Sequence, residues 1–249
     1  MADWNAPGHL VVFTQQQIMG ARGCLGICWD TIARWEVAEP VRHRAPLPFP
    51  LFLAMMGVGL LWRWPKFVAV LGISFFGISR PGEPLAAVRA DVVLPSDRLD
   101  DLHDTAYLRV GASKSRRRGR NVIQHLTITD SGFVRFLERV FAGAKPHEAL
   151  FCGTAAAFRK RWDTILSCLK VPKASELTPG GLRGGGCVFA FQSGIDMSRL
   201  LWRMRLKHQA TLESYLQEVV ASSVIPSLSL ESRERIQAAS SLASYLLRL

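Results

Sequence analysis

The sequence predicts an α+β fold that is mostly α-helical and contains one small three-stranded antiparallel sheet. Much of the chain has apolar residues at helical spacing, and several such stretches begin at a Thr, Ser or Asp suited to capping a helix. Three short runs rich in β-branched residues lie in the middle of the chain, at residues 87–94, 106–110 and 122–129. An apolar content of 49% in 249 residues is enough to build a folded core.

The first half of the chain predicts two apolar helices before the sheet and two helices after it. The apolar helices cover residues 51–62 and 65–76, and Pro65 suits the first turn of the second one. After the sheet, Asp130 and Ser131 begin a helix that ends at residue 141, and Thr154 begins one that ends at residue 169.

The second half predicts four more helices. A helix that begins at Thr178 carries Arg183, and Asp196 begins a short one. A third covers residues 210–222 and carries Tyr215. The last covers residues 232–249, with an apolar stripe made of Ile236, Leu242, Tyr245 and Leu246.

The two apolar helices also raise the alternative of a small membrane protein. Residues 47–62 and 67–79 carry no charge, but prolines interrupt the first run and Arg63, Pro65 and Lys66 separate the two. A helix needs about 20 apolar residues to cross a bilayer. We therefore interpret both as core helices and expect no membrane partner.

The charge balance indicates a polyanionic partner. Lys and Arg number 31 against 20 Asp and Glu, which gives a formal net charge of +11. Nucleic acid and an anionic membrane surface both fit this excess, and nucleic acid is favoured.

The five cysteines form no disulfide or zinc pattern, which is typical of free thiols in a reducing compartment. The N-terminus has no signal-peptide pattern. An intracellular location, in a nucleus or nucleoid, is expected.

The chain is expected to divide into three segments. Residues 1–46 give only weak signals and end in a proline-rich stretch, so they are interpreted as an N-terminal remnant or linker. Residues 47–225 form the main domain, and residues 226–249 form a C-terminal helix.

The residues most suggestive of chemistry are an arginine and a tyrosine in the last third of the chain. Arg183 lies in the Gly-rich stretch GGLRGGG, and Tyr215 follows 32 residues later in the stretch TLESYL. A guanidinium group grips phosphate through a planar fork of donors, and a tyrosine hydroxyl can attack phosphorus.

Further motifs precede this pair in the chain. The stretch GISRPGEPL contains Arg80 and Glu83, and ASKSRRRGR contains Lys114. In this order, the motifs resemble the catalytic domain of the tyrosine recombinases (the phage-integrase family) over about residues 47–222.

The resemblance implies DNA breakage and rejoining through a 3′-phosphotyrosine, without a metal or cofactor. Arg80 and Arg183 would bind the scissile phosphate, and Glu83 would orient the neighbouring cations. Lys114 would be the general acid and Tyr215 the nucleophile. Such chemistry serves DNA recombination and integration, often in mobile elements.

Two positions depart from the family pattern. Gly180 replaces the histidine of the His-x-x-Arg motif, and Leu206 stands where His or Trp is expected, nine residues before Tyr215. His208 lies two positions away and is the candidate substitute. Acid–base groups contribute roughly 10²-fold or more each. The alternatives are therefore a weak recombinase, with type IB topoisomerase activity as a related outcome, and an inactive DNA-binding relative.

Double-stranded DNA is the expected partner, and two basic segments are predicted to contact it. The first is a hairpin loop and the second follows the Arg183 helix. Their DNA-binding candidates are Arg116, Arg117, Arg118, Arg120, Arg203, Arg205 and Lys207. The C-terminal helix either docks on a second copy to form a homo-oligomer on DNA or folds back on its own domain.

Overall fold

The computed structural model describes residues 44–98, 104–111 and 124–247, together with Gly26, Cys28, Asp30, Thr31 and Arg34. The chain divides into two compact units, Met1–His43 and Arg44–Leu249. The five isolated residues of the first unit are helical and exposed. All elements below belong to the second unit, which contains both the predicted main domain and the C-terminal helix.

Two apolar helices form the centre of the second unit. Helix α1 is Phe49–Leu61 and helix α2 is Pro65–Phe76, and most residues of both are buried. Their aromatic side chains stack closely, with the ring centroids of Phe52 and Phe75 4.0 Å apart. These helices are core, as predicted. Within the described residues, no helix combines the length and the apolar character that a membrane crossing requires.

A short helix and the sheet follow. Helix α3 is Gly82–Leu85, and the strands are β1 (Val92–Val93), β2 (Ala106–Val110) and β3 (Gln124–Ile128). The strand order is β1-β2-β3 and both pairings are antiparallel, with Leu108 opposite Val92 on one side and Leu126 on the other. The predicted α+β class with a three-stranded antiparallel sheet is confirmed.

The first predicted strand, residues 87–94, is wrong for most of its length. A 3-10 turn, Arg89–Asp91, interrupts it, and only Val92–Val93 pairs with β2. The Asp91 carboxylate accepts the backbone N–H of Val88, and Val88 forms an isolated bridge with Ala149 instead of pairing with β2.

The remaining elements are helices. They are α4 (Ser131–Phe141), α5 (Ala155–Cys168), α6 (Gly181–Gln192), α7 (Met197–Met204), α8 (Gln209–Glu213), α9 (Glu218–Val224) and α10 (Leu230–Leu246). Asp130, Thr154 and Asp196 cap α4, α5 and α7 by accepting a backbone N–H three residues on, as predicted.

The predicted single helix over residues 210–222 is wrong, because it is broken between α8 and α9. Tyr215 lies in the intervening turn, where its N–H bonds the carbonyl of Leu212. Ser214 donates to the carbonyl of Thr211, and Gln217 donates to that of Ser214. These side chains compete with the helical ladder and end it.

The C-terminal helix folds back on its own domain. Helix α10 packs along α1 so closely that a Cβ at Gly57 would overlap the carbonyl oxygen of Ala239. Ile236 is buried as predicted, but Tyr245 is 61% exposed, so its predicted place in the apolar stripe is wrong. Docking of α10 on a second copy stays a prediction.

A second, smaller apolar cluster lies beside the main core. It includes Ile78, Cys187, Leu200, Met204 and Leu212, and Tyr215 packs against it. The cluster joins α6, α7 and α8 to the chain just before Arg80, and in this way it gathers the candidate site residues.

Candidate active site

Helix α6 brings Arg183 into the interior because its glycines permit a very close approach to neighbouring backbone. A Cβ at Gly185 would overlap the carbonyl oxygen of Leu47, and one at Gly186 would overlap that of Phe75. Since only glycine lacks a Cβ, the stretch GGLRGGG lets α6 lie against the ends of α1 and α2. Arg183 is only 2% exposed as a result.

The Arg183 guanidinium is held at one end and unpaired at the other. Nη2 donates to the carbonyl oxygen of Met204, whereas Nε and Nη1 are buried without a hydrogen-bond partner among the described residues. Its Cζ lies 5.4 Å from the ring centroid of Tyr215. Burial, and next the positive charge of Arg80, lower the pKa of Arg183 to about 10. The group stays cationic at neutral pH.

Arg80 and Glu83 form a small unit at the start of α3. The Glu83 carboxylate accepts the backbone N–H of Arg80 at 3.1 Å and lies 3.5 Å from Nη1 of the same residue. The Glu83 side chain is 6% exposed and that of Arg80 is 49% exposed. The buried carboxylate therefore holds an arginine whose own side chain remains accessible.

Arg205 joins this unit from the end of α7. It adopts the left-handed conformation, with φ of 57°, which turns the chain out of the helix. Its Nη2 lies 2.6 Å from a Glu83 carboxylate oxygen, and its Nη1 donates to the side-chain oxygen of Gln124 at 3.2 Å. Arg205 is thus a member of the site, although the sequence assigned it only to a DNA-binding surface. No sequence signal separates it from Arg203.

Tyr215 is half-buried, and its ring lies over Arg183. Arg80, Glu83, Arg205 and Tyr215 all act electrostatically on Arg183, so these five residues form one cluster. We call it the arginine cluster. Arg183 is the proposed catalytic residue that contacts the Tyr215 ring, and Arg80 and Glu83 belong to the same cluster.

The two departures from the family pattern have different surroundings. The guanidinium of Arg44 occupies the space where a Cβ at Gly180 would stand. Leu206 is half-buried against the second apolar cluster. His208 is exposed and precedes the first residue of α8, where its side chain caps no backbone N–H. Its role as a substitute stays a prediction.

Arg203 makes internal contacts. Its Nη2 donates to the carbonyl oxygens of Phe76 at 2.7 Å and Thr127 at 3.1 Å, which ties α7 to the end of α2 and to β3. Burial, and to a lesser extent Arg199, lower the pKa of Arg203. Lys207 is exposed. DNA contact by Arg203, Arg205 and Lys207 stays a prediction.

The predicted general acid and hairpin-loop cations lie outside the described residues. They are Lys114, Arg116, Arg117, Arg118 and Arg120. Within the described part of the chain, no group of three or more His, Cys, Asp or Glu side chains could hold a metal ion.

The fold is that of a tyrosine recombinase catalytic domain. The crystal structure of XerA recombinase is similar to this chain, with a TM-score of 0.54 and 13% sequence identity. The match covers 76% of this chain and 64% of the XerA chain. The crystal structure of XerH site-specific recombinase bound to difH substrate, a pre-cleavage complex, has a TM-score of 0.48 and 13% sequence identity with this chain. The match covers 71% of this chain and 52% of the XerH chain.

This chain spans less than two thirds of the length of either recombinase. No family model and no curated protein matches the sequence. At such low identity the likeness establishes the fold alone.

Proposed function

We propose that this protein breaks and rejoins DNA strands through a 3′-phosphotyrosine on Tyr215. The observation that carries the proposal is the convergence of Arg80, Arg183 and Tyr215, which come from separate parts of the chain. The ring of Tyr215 lies 5.4 Å from the Arg183 guanidinium carbon. Buried donors without partners beside a tyrosine are suited to a bound phosphodiester.

The reaction would proceed as an in-line displacement at phosphorus. The scissile phosphate accepts hydrogen bonds from Nε and Nη1 of Arg183 and from Arg80, which neutralise the charge that grows on its non-bridging oxygens. The Tyr215 hydroxyl loses its proton to water, its oxygen forms a bond to phosphorus, and the bond to the 5′-oxygen breaks. Lys114, the predicted general acid, donates a proton to that oxygen. A second 5′-hydroxyl reverses these steps and releases Tyr215.

The second candidate is a DNA-binding relative without catalytic activity. Gly180 and Leu206 favour it, because neither side chain can transfer a proton or hydrogen-bond a phosphate. It would keep the fold, the basic charge and the phosphate contacts, and it would form no covalent bond to DNA.

The proposed partner in both cases is double-stranded DNA, and the net charge of +11 supports it. A homo-oligomer on DNA, an intracellular location and an origin in a mobile element belong to the same proposal.

Covalent trapping tests the proposal. A randomised duplex library carrying one 5′-bridging phosphorothiolate is incubated with the full chain, and adducts are counted on a denaturing gel. The thiolate leaves without needing a proton, so the adduct forms even where the general acid is weak, and it reverses slowly. We expect an adduct with the unmodified protein and none with Tyr215→Phe.

Tyr245→Phe is the matched control, because Tyr245 is an exposed tyrosine on α10, outside the arginine cluster. It should form the adduct as the unmodified protein does. An adduct that survives Tyr215→Phe would remove Tyr215 as the nucleophile. Salt-sensitive DNA binding without any adduct would establish the second candidate instead.

A further inference from the structure

We infer that Arg205 is a third phosphate-binding cation of the site and supplies hydrogen-bond donors in place of the His or Trp expected at position 206. The reaction it would assist rests on the proposed function. The anion-binding property does not, because it can be measured without DNA or catalysis.

Arg205 is fixed from two sides, and both contacts leave donors free. Glu83 accepts Nη2 at 2.6 Å, and Gln124 accepts Nη1 at 3.2 Å. Nε is buried and has no hydrogen-bond partner among the described residues. Each terminal nitrogen also carries a second proton, since guanidinium has five N–H donors in one plane. The side chain is therefore rigid, mostly buried and still able to donate.

One carboxylate serves two arginines in this arrangement. Glu83 accepts both Arg80 and Arg205, and the carbonyl just before Arg205, that of Met204, accepts Arg183. The end of α7 thus anchors two of the three guanidinium groups. This shared anchoring fixes their spacing before any ligand arrives, which lowers the entropic cost of binding.

The charges of the cluster do not balance. Arg80 and Arg205 share the single carboxylate of Glu83. Arg183 has no carboxylate partner among the described residues, and Arg80 and Arg205 both act on Arg183 as like charges. Like charges in a buried site repel strongly, and unpaired buried donors are costly. A bound phosphate relieves both costs. Its oxygens accept the free donors of Arg183 and Arg205 together.

The position of Arg205 explains how it can act for the missing side chain. It directly precedes Leu206, the position where the family has His or Trp. The left-handed conformation at residue 205 turns this side chain, rather than its neighbour, toward Glu83. Leu206 packs into the second apolar cluster instead.

Inorganic phosphate is the probe for the first experiment. Its affinity is measured by isothermal titration calorimetry on the full chain at low salt and pH 7.5. Arg205→Ala should weaken phosphate binding by roughly 10- to 100-fold, the contribution of one charge-assisted hydrogen bond. Arg205→Lys keeps the charge but loses the planar fork of donors. Its phosphate affinity should lie between that of the unmodified protein and that of Arg205→Ala.

Two further variants separate charge from structure. Gln124→Ala removes a tether of Arg205 but leaves its charge, so it should keep most of the phosphate affinity. Arg233→Ala removes one exposed arginine on α10 and should bind phosphate as the unmodified protein does. Thermal unfolding of each variant without phosphate shows whether it is folded. If Arg205→Ala is not folded, the phosphate affinity of Arg205→Lys tests the inference instead.

Unchanged phosphate affinity in Arg205→Ala overturns the inference, and so does the absence of phosphate binding by the unmodified protein. Equal losses in Gln124→Ala and Arg205→Ala also overturn it, because Arg205 would then act only as a structural tether. A failure of the proposed function looks different: no DNA adduct forms, while the dependence of phosphate binding on Arg205 persists.

Discussion

Gly180 stands where the His-x-x-Arg motif of the tyrosine recombinases begins, and the side chain of Arg44 fills the space above it. The backbone at Gly180 has φ of −61°, which any residue adopts, so glycine is not required there by conformation. The obstacle to a histidine is Arg44, whose long side chain can move aside. A histidine at position 180 would therefore require Arg44 to move and no change in the backbone conformation.

A histidine at position 180 should increase the proposed rate of adduct formation most when Arg44 is also removed. We expect Gly180→His combined with Arg44→Ala to form the phosphotyrosine adduct on an ordinary phosphodiester roughly 10²-fold faster than the unmodified protein, because imidazole can transfer a proton. Gly180→His alone should gain less. The measurement is the initial rate of adduct formation.

The control is Gly180→Phe combined with Arg44→Ala, which fills the same space with a ring that cannot transfer a proton. Equal rates in the His and Phe variants would contradict a proton-transfer role at this position.

The sequence predicted some residues of the arginine cluster and missed others. Arg80, Glu83, Arg183 and Tyr215 were selected by motif and order, and the structure places them together. The contact of Arg205 with Glu83 was not predicted, because it depends on a left-handed residue at the end of α7, which periodicity cannot indicate. Gln124 was not selected at all, since its role is only to receive Arg205.

At the scale of elements, the fit between α1 and α10 depends on glycine. A Cβ at Gly57 would overlap the carbonyl oxygen of Ala239, which belongs to the backbone and cannot rotate away. Gly57→Ala should therefore push α10 off α1 and lower the free energy of unfolding by about 1–3 kcal/mol. Urea denaturation measures this change.

A glycine-to-alanine substitution in α4 should have the opposite effect on the free energy of unfolding. A Cβ at Gly132 would only reach ordinary contact with the Asp130 side chain, at 3.5 Å. Gly132→Ala should raise the free energy of unfolding by about 0.5–1 kcal/mol, because alanine has the higher helix propensity. Destabilisation by both substitutions to the same extent would show that the α1–α10 contact is not the cause.

Three helix starts followed from the sequence because a capping side chain marks them, whereas the helix predicted to begin at Thr178 begins at Gly181 without a side-chain cap. Asp130, Thr154 and Asp196 begin α4, α5 and α7 as expected. The strand at residues 87–94 and the helix over residues 210–222 were wrong where Asp91 or Ser214 bonds nearby backbone. Such local bonds compete with regular structure and leave the apolar pattern unchanged, so the pattern alone could not reveal them.

At the scale of the whole molecule, the charge of +11 should make DNA binding strongly dependent on salt. Each phosphate contact contributes about 0.9 to the slope of log affinity against log salt concentration. Replacing Arg116, Arg117 and Arg118 with alanine should reduce that slope by about 2 to 3. Fluorescence anisotropy with a random-sequence duplex at several salt concentrations measures it.

A control variant removes the same charge elsewhere, by alanine at Arg159, Arg233 and Arg235 on α5 and α10, which are all exposed. Its slope should change less. An equal change in both variants would mean that DNA responds to net charge and not to the predicted loop.

The pairing of α1 with α10 also sets when this unit can finish folding during synthesis. Helix α1 leaves the ribosome well before α10, which is the helix that covers its apolar face. Until residue 246 has emerged, the nascent chain carries an uncovered apolar strip, the kind of surface that aggregates or recruits chaperones. A ribosome that stalls before α10 would therefore hold a chain whose central helix is already made and whose cover has yet to be translated.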